Sequence, residues 1–133
     1  MYLNRTDAGR QLAQLVVSRA SDYGLLDEDL LVVGLPRGGL PVAYEVATEL
    51  RAPLDVILVR KLGVPFQPEV AMGAIGEGNV RVLNAEVLRM AGTTDAELDA
   101  VEHRERAELT RRSTLYRSGR DRVPLAGRVV VIV

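Results

Sequence analysis

The amino-acid sequence predicts an α/β fold in which a parallel β-sheet is flanked by helices. Two apolar runs, at residues 30–33 and 54–59, are typical of short strands that are buried on both faces. Segments with helical periodicity flank these runs, and strands that alternate with helices form parallel sheets. A third apolar run, GRVVVIV at residues 127–133, resembles a further core strand. With 133 residues and an ordinary globular composition, the chain is predicted to form a single domain, residues 1–133.

The first helix is predicted to run from Thr6 or Asp7 to Tyr23, where Gly24 ends it. Five of its residues are expected to face the protein interior: Ala8, Leu12, Leu15, Val16 and Ala20. The first strand then leads through a glycine turn into a second helix, whose apolar residues follow at a spacing of four. We expect the first helix to be peripheral.

The region after the second strand predicts a loop, a hairpin and a short helix. Residues 63–69, GVPFQPE, hold two prolines and the only phenylalanine, so we expect an exposed lid that orders over a ligand. Residues 72–75 and 80–83 alternate in polarity around GEGN, which indicates a β-hairpin. Asn84 is expected to cap a helix that extends through Met90 and is closed by Gly92.

A long helix is predicted from Asp95 to about Tyr116, because Thr94 and Glu97 form a capping box at its start. Its ion pairs at a spacing of four are Glu102–Arg106 and Glu108–Arg112. Its sparse apolar positions are Leu98, Val101, Leu109 and Tyr116. Most of its charge is therefore expected to face solvent.

Two charged features of this region are interpreted as surface features. The basic patch comprises Arg111, Arg112, Arg117, Arg120 and Arg122. A solvated helix end is the favoured interpretation of this patch, and an acidic partner is the alternative. The only histidine, His103, has no nucleophile or set of metal ligands near it in the sequence, which favours a surface residue over a general base. The sequence therefore assigns no catalytic residue and no metal ligand.

The segment LPRGG, residues 35–39, is the most informative feature, because it joins a buried strand directly to the start of a helix. Amides of a first helical turn have no partner within the helix and lie at the positive end of its dipole. We expect the amides of Arg37, Gly38, Gly39 and Leu40 to point at a bound anion such as phosphate. The glycines permit a positive φ or a close approach of backbone to ligand. The alternative is an ordinary strand-to-helix connection with a surface arginine.

Two common phosphate-binding loops are excluded by the residues present. A Walker loop that began at Gly34 would need Lys and Ser or Thr where Leu40 and Pro41 stand. A dinucleotide fingerprint that began at Gly76 would need a third glycine where Arg81 stands.

A basic pair, Arg60 and Lys61, follows the second apolar run, and Lys61 is the only lysine in the chain. Ligands gather at the carboxyl ends of strands in parallel sheets. Arg37 and the basic pair are therefore expected at the same edge of the sheet, one strand apart. A solvated strand end is the alternative interpretation of the pair.

Together, LPRGG and VRKLGVP resemble the type I phosphoribosyltransferases, in particular their small bacterial members. The resemblance implies a Rossmann-like core with a β-hairpin excursion, to which VAMGAIGEGNVRVLN corresponds. It also implies that Arg37, Gly38 and Gly39 hold the pyrophosphate of phosphoribosyl pyrophosphate (PRPP), while Arg60 and Lys61 offset its charge. In some members of the family, a peptide bond inside the first turn is cis although it does not precede a proline.

The resemblance implies an enzyme that transfers phosphoribose from PRPP to a nitrogenous base, such as a nucleobase, and releases pyrophosphate. Mg²⁺ that bridges pyrophosphate and ribose hydroxyls is the implied cofactor. A non-catalytic regulatory module that binds PRPP or a nucleotide is one alternative, and an unrelated α/β phosphate-binding domain is another. Nothing in the sequence identifies the base.

One departure from the family concerns its most specific signature, an acidic pair and a glycine- and threonine-rich loop after a strand like VVVIV. The given residues end on that strand at Val133, so we expect them to represent the N-terminal two thirds of a domain and to be inactive alone. Carboxylates for magnesium are expected from the segment that would follow. We also expect the uncovered sheet to allow self-association or a homo-oligomer.

Composition excludes several other classes of function. A net charge of −1 and an aromatic content of 4% provide neither the field nor the stacking platform of a general nucleic-acid-binding protein. The absence of cysteine excludes disulfides and thiolate metal sites. No apolar run reaches the length of a membrane span or of a signal core, so the cytoplasm is the default location.

Overall fold

A computed structural model describes all 133 residues, which divide into two compact units. The first unit comprises Met1–Ile57 and Arg120–Val133, and the second comprises Leu58–Gly119. The prediction of a single domain stays a prediction, because compact units of one chain need not fold separately. In chain order, the elements are α1 (Arg5–Asp22), β1 (Leu30–Gly34), α2 (Gly39–Leu50), β2 (Leu54–Val56), β3 (Val59–Val64), β4 (Gln67–Gly76), β5 (Arg81–Leu83), α3 (Ala85–Ala91), α4 (Asp95–Arg117) and β6 (Val129–Ile132).

The first unit contains a three-stranded parallel sheet in the order β2-β1-β6. Every residue of the central strand β1 is buried, as expected for a parallel strand that is covered on both faces. The helices α1 and α2 pack together, and Ala13, Val32, Ala43, Val46 and Ala47 form a buried cluster in this unit. The prediction of an α/β fold with a helix-flanked parallel sheet is confirmed.

The buried face of α1 agrees in part with the one predicted, since Ala20 is buried and Leu12 and Val16 pack against the core cluster. Leu15 is 65% exposed, so the expectation that it faces the interior is wrong, whereas Ala13 is only 2% exposed. The buried positions of α1 are Gly9, Ala13 and Ala20, and α1 packs against α2. A Cβ atom on Gly9 would lie 2.9 Å from the Cβ atom of Glu45 on α2. The close approach of the two helices therefore requires a small residue at position 9.

The second unit contains a three-stranded antiparallel sheet in the order β3-β4-β5. The predicted hairpin is confirmed, since β4 and β5 pair with Ile75 opposite Arg81. The predicted single strand over residues 54–59 is wrong. Its first part, β2, pairs with β1, whereas Val59 begins β3 in the antiparallel sheet. Leu58 lies between these strands and is 3% exposed. The apolar run of the sequence therefore continues beyond the point at which the parallel sheet ends.

Residues 63–69 form a tight hairpin rather than the expected loop. Val64 of β3 pairs with Gln67 of β4, so only two residues connect the strands. A Cβ atom on Gly63 would lie 2.5 Å from the carbonyl oxygen of Pro68, so this position requires glycine. Pro68 is tolerated in β4 because β5 pairs only with residues 73–75, which leaves this end of β4 without a neighbour on that side. The mobility of residues 63–69 stays a prediction.

The predicted starts and ends of the last two helices are confirmed. Asn84 accepts hydrogen bonds from the first amides of α3, and Gly92 ends that helix with a φ of 65°. Thr94 and Glu97 form the predicted capping box at the start of α4. His103 is exposed on α4, as predicted. No helix of the structure has the length and apolar character that crossing a membrane requires.

One residue of the basic patch is buried, so the prediction that the whole patch is solvated is wrong for that residue. The side chain of Arg117 is 7% exposed and forms an ion pair with Glu77, whose side chain is 14% exposed. Arg117 Nη2 lies 3.0 Å from Glu77 Oε2, and Ser113 Oγ donates to Glu77 Oε1 at 2.9 Å. This network joins the end of α4 to the connection between β4 and β5. Glu77 lies 40 residues before Arg117, so the pattern of α4 alone could not reveal it.

Candidate functional site

The LPRGG turn lies between two elements of the first unit, as the sequence predicts. β1 ends at Gly34, residues 36–38 form the turn, and α2 begins at Gly39. The turn therefore lies at the carboxyl end of the central strand, where ligands of parallel α/β sheets bind. The peptide bond between Pro36 and Arg37 is cis, in agreement with what the resemblance implied for some family members.

Three backbone amides of this turn and of the first turn of α2 have no hydrogen-bond partner within the protein: those of Arg37, Gly38 and Leu40. The expectation for the fourth is wrong, because the Gly39 amide donates to the carbonyl oxygen of Leu35 at 2.9 Å. That bond closes the turn onto the start of α2. Three donors remain at the positive end of the helix dipole, which is an arrangement suited to binding an anion.

The two glycines of the turn have different roles. A Cβ atom on Gly39 would lie 2.6 Å from the carbonyl oxygen of Val133, so glycine allows the backbone of the turn to approach the end of β6. The predicted contact of Gly39 with pyrophosphate stays a prediction. A Cβ atom on Gly38 would meet only the guanidinium of Arg5, at 3.7 Å from Nε and 3.9 Å from Nη2. The turn is therefore open on the side of Gly38, where only the Arg5 guanidinium lies nearby; this is its open side.

Two cations without an ion pair belong to this region, one beside the open side and one within the turn. Arg37 is exposed, and so is Arg5, the first residue of α1, whose guanidinium lies beside Gly38. Neither arginine forms an ion pair or a hydrogen bond through its side chain. The first turn of α2 contains no acidic residue. The turn thus combines amide donors with two guanidinium groups that no carboxylate neutralises.

Sequence reasoning missed Arg5 as a site residue. Arg5 precedes the turn by more than 30 positions, and nothing in its local pattern distinguishes it from other surface arginines. Its position follows from the packing of α1 against α2, which brings the start of one helix beside the start of the other.

Arg60 and Lys61 belong to β3 of the second unit, so the expectation that they end a strand of the parallel sheet is wrong. Successive strand residues point to opposite faces. Arg60 faces α4, where its Nε donates to Glu105 Oε2 at 2.7 Å. Lys61 lies on the other face, with its Nζ 3.8 Å from Glu69 Oε2. Each cation therefore already has a carboxylate partner. A cleft of about 310 Å³ adjoins both residues and Arg104.

The chain brings together no cluster of three or more acidic or histidine side chains that could hold a metal ion. Asp55, at the carboxyl end of β2, accepts hydrogen bonds from the amides of Val56 at 2.7 Å and Val123 at 2.8 Å. Its carboxylate thus fixes the segment that leads to β6. Magnesium binding, which the resemblance implies, stays a prediction.

Over all 133 residues, the chain is 56% identical to two proteins of Mycobacterium tuberculosis, from strains CDC 1551 and H37Rv, both named "Putative phosphoribosyl transferase". The chain spans 29% of the length of these curated relatives. The crystal structure of TT1426 from Thermus thermophilus matches with a TM-score of 0.79 and 41% identity, over 98% of this chain and 59% of that one. No protein-family model matches the chain. The chain is thus similar along its whole length to proteins that are named as phosphoribosyl transferases.

Proposed function

We propose that the LPRGG turn binds the pyrophosphate group of PRPP, in a protein that transfers phosphoribose to a nitrogenous base. The observation that carries the proposal is the turn itself, with its three free amides and the unpaired guanidinium of Arg37 at the start of α2. The names of the relatives support the same reaction class. Because the chain spans 29% of those relatives, the whole reaction is proposed for a protein that contains these residues.

The proposed reaction needs little acid and base chemistry from side chains. A nitrogen of the base attacks the anomeric carbon of the ribose, the carbon–oxygen bond to pyrophosphate breaks, and pyrophosphate leaves with the electron pair. Negative charge therefore develops on the leaving group as the bond breaks. Donors that are fixed before the reaction stabilise such charge without reorganising. Arg37 and the amides of Gly38 and Leu40 would supply this stabilisation.

The contribution of Arg60 and Lys61 to PRPP binding stays a prediction. Pyrophosphate would compete for Arg60 with Glu105, in an ion pair whose side chains are about three quarters buried. The partner of Lys61 is a nearly fully exposed carboxylate, and exposed pairs contribute little. Lys61 is thus the more available of the two cations. The proposal does not depend on a magnesium ion.

The regulatory module remains the second candidate, because the amides and Arg37 would bind PRPP equally well without turnover. Pyrophosphate binding, measured by calorimetry, is expected for both candidates. Arg37→Ala should weaken it by about 1.5–3 kcal/mol, or roughly 10- to 150-fold, as expected for a charge-assisted hydrogen bond. Arg51→Ala is the matched control, because Arg51 is an exposed arginine at the opposite end of α2.

Release of pyrophosphate from PRPP then separates the candidates. Release that depends on an added nucleobase identifies a transferase, whereas binding without base-dependent release identifies a regulatory module. If pyrophosphate does not bind to the unsubstituted protein, or if Arg37→Ala leaves its affinity unchanged, the assignment of the turn is wrong.

A further inference from the structure

We propose that Arg5 is a second binding residue of this site and that it contacts the same pyrophosphate group as the LPRGG turn. The inference rests on the proposed function. It assigns to α1 a role in ligand binding, in contrast to the peripheral role that the sequence predicts for this helix.

The position of the Arg5 side chain is the first argument. Its guanidinium lies on the side of the turn that Gly38 leaves open, 3.7 Å from the point where a Cβ atom would project. A residue with a side chain at position 38 would occupy the space between the backbone of the turn and this guanidinium. The absence of a side chain keeps them adjacent. An anion that meets the amide of Gly38 on this side would therefore also meet Arg5.

The electrostatics of α1 are the second argument. Arg5 is the first residue of α1, and a cation at a helix start is disfavoured by the helix dipole. The acidic residue of that first turn, Asp7, is bonded to the amide of Leu3 at 3.0 Å and to the side chain of Gln11, and not to Arg5. The pKa of Asp7 is lowered, mainly by the hydrogen bond from Leu3. Helix stability thus does not explain a cation at position 5. Binding of an external anion would explain it.

The charge of the ligand is the third argument. A pyrophosphate group carries several negative charges, and Arg37 supplies only one positive charge. A guanidinium binds two phosphate oxygens through a planar fork of donors, which the ammonium of lysine cannot reproduce. Arg5 therefore supplies both the missing charge and a geometric preference for a phosphate group.

Calorimetry with inorganic pyrophosphate tests the inference through three variants. Arg5→Gln should raise the Kd about tenfold or more, and Arg5→Lys should recover only part of this loss. The matched control is Arg19→Gln, which removes an exposed and unpaired charge from the same helix. Arg19 lies about 21 Å along the helix axis from Arg5, beyond the screening length at physiological salt, and its removal should leave the Kd nearly unchanged.

A second readout distinguishes binding from a structural role. An arginine-specific dicarbonyl reagent should modify Arg5 in the free protein, and pyrophosphate should protect Arg5 but not Arg19, as followed by mass spectrometry. If the protein binds pyrophosphate with the same Kd in wild-type and Arg5→Gln forms, and Arg5 is not protected, the inference is overturned while the proposed function stands. If the wild-type protein does not bind pyrophosphate, the proposed function itself fails, and the inference fails with it.

Discussion

Replacing Gly39 with alanine would place a methyl group 2.6 Å from the carbonyl oxygen of Val133. That oxygen is held in place, since it accepts a hydrogen bond from the Leu35 amide at 2.8 Å. The Val133 amide in turn donates to the carbonyl oxygen of Val33 at 2.9 Å. Relief of the clash would therefore disturb hydrogen bonds of the parallel sheet. Overpacking of this kind costs about 1–3 kcal/mol.

Thermal unfolding of Gly39→Ala measures this cost. At roughly 4 °C per kcal/mol for a chain of this size, the Tm should fall by about 4–12 °C. The matched control is Gly38→Ala, because Gly38 has a φ of −68° and a ψ of −34°, which alanine adopts without strain. Its free energy of unfolding should remain within about 0.5 kcal/mol of wild type.

Pyrophosphate affinity should respond to these two substitutions differently from stability. The methyl group of Gly38→Ala would project toward Arg5, into the open side of the turn, and should weaken pyrophosphate binding without loss of stability. A Tm for Gly39→Ala equal to that of wild type would refute the packing argument. Unchanged pyrophosphate affinity in Gly38→Ala would refute the assignment of the open side as the binding surface.

Three further predictions concern the second unit. Glu77→Gln removes the carboxylate that receives the buried guanidinium of Arg117 and should lower the free energy of unfolding by about 3–5 kcal/mol in urea denaturation. Adding Arg117→Met should recover much of that loss, and a lack of recovery would contradict this explanation. Hydrogen bonds from Arg111 and a second arginine of α4 lower the pKa of Glu108 to about 2. The ionised Glu108 should therefore stabilise the helix fully above its ordinary pKa of 4.5, and this stabilisation should disappear as the pH falls toward 2. An NMR titration of Glu108 that gave a pKa near 4.5 would show that these pairs do not persist in solution. Amides of residues 63–69 should gain protection from hydrogen exchange when PRPP binds, whereas equal protection would identify a fixed hairpin.

Features encoded by local sequence were predictable. The apolar run of β1 followed by LPRGG placed the turn between a buried strand and a helix, as observed. The Asn84 cap and the Thr94–Glu97 capping box fixed the starts of α3 and α4, because caps act within one helical turn. The hairpin around GEGN was likewise a local signal.

Features set by distant parts of the chain were not predictable. The apolar run of residues 54–59 does not reveal that the parallel sheet stops at Val56, because Leu58 is as buried as a strand residue would be. Nor does the pattern of α1 show that small residues rather than Leu15 are buried, since this depends on how closely α2 approaches. Arg5 became a candidate binding residue only through the same helix packing.

A crystal structure of the protein with pyrophosphate would test the central claim most directly. We predict that pyrophosphate lies at the start of α2, with its oxygens accepting hydrogen bonds from the amides of Arg37, Gly38 and Leu40 and from the guanidinium groups of Arg5 and Arg37. Pyrophosphate bound elsewhere in the protein, with the three amides of the turn making no contact to it, would contradict the claim.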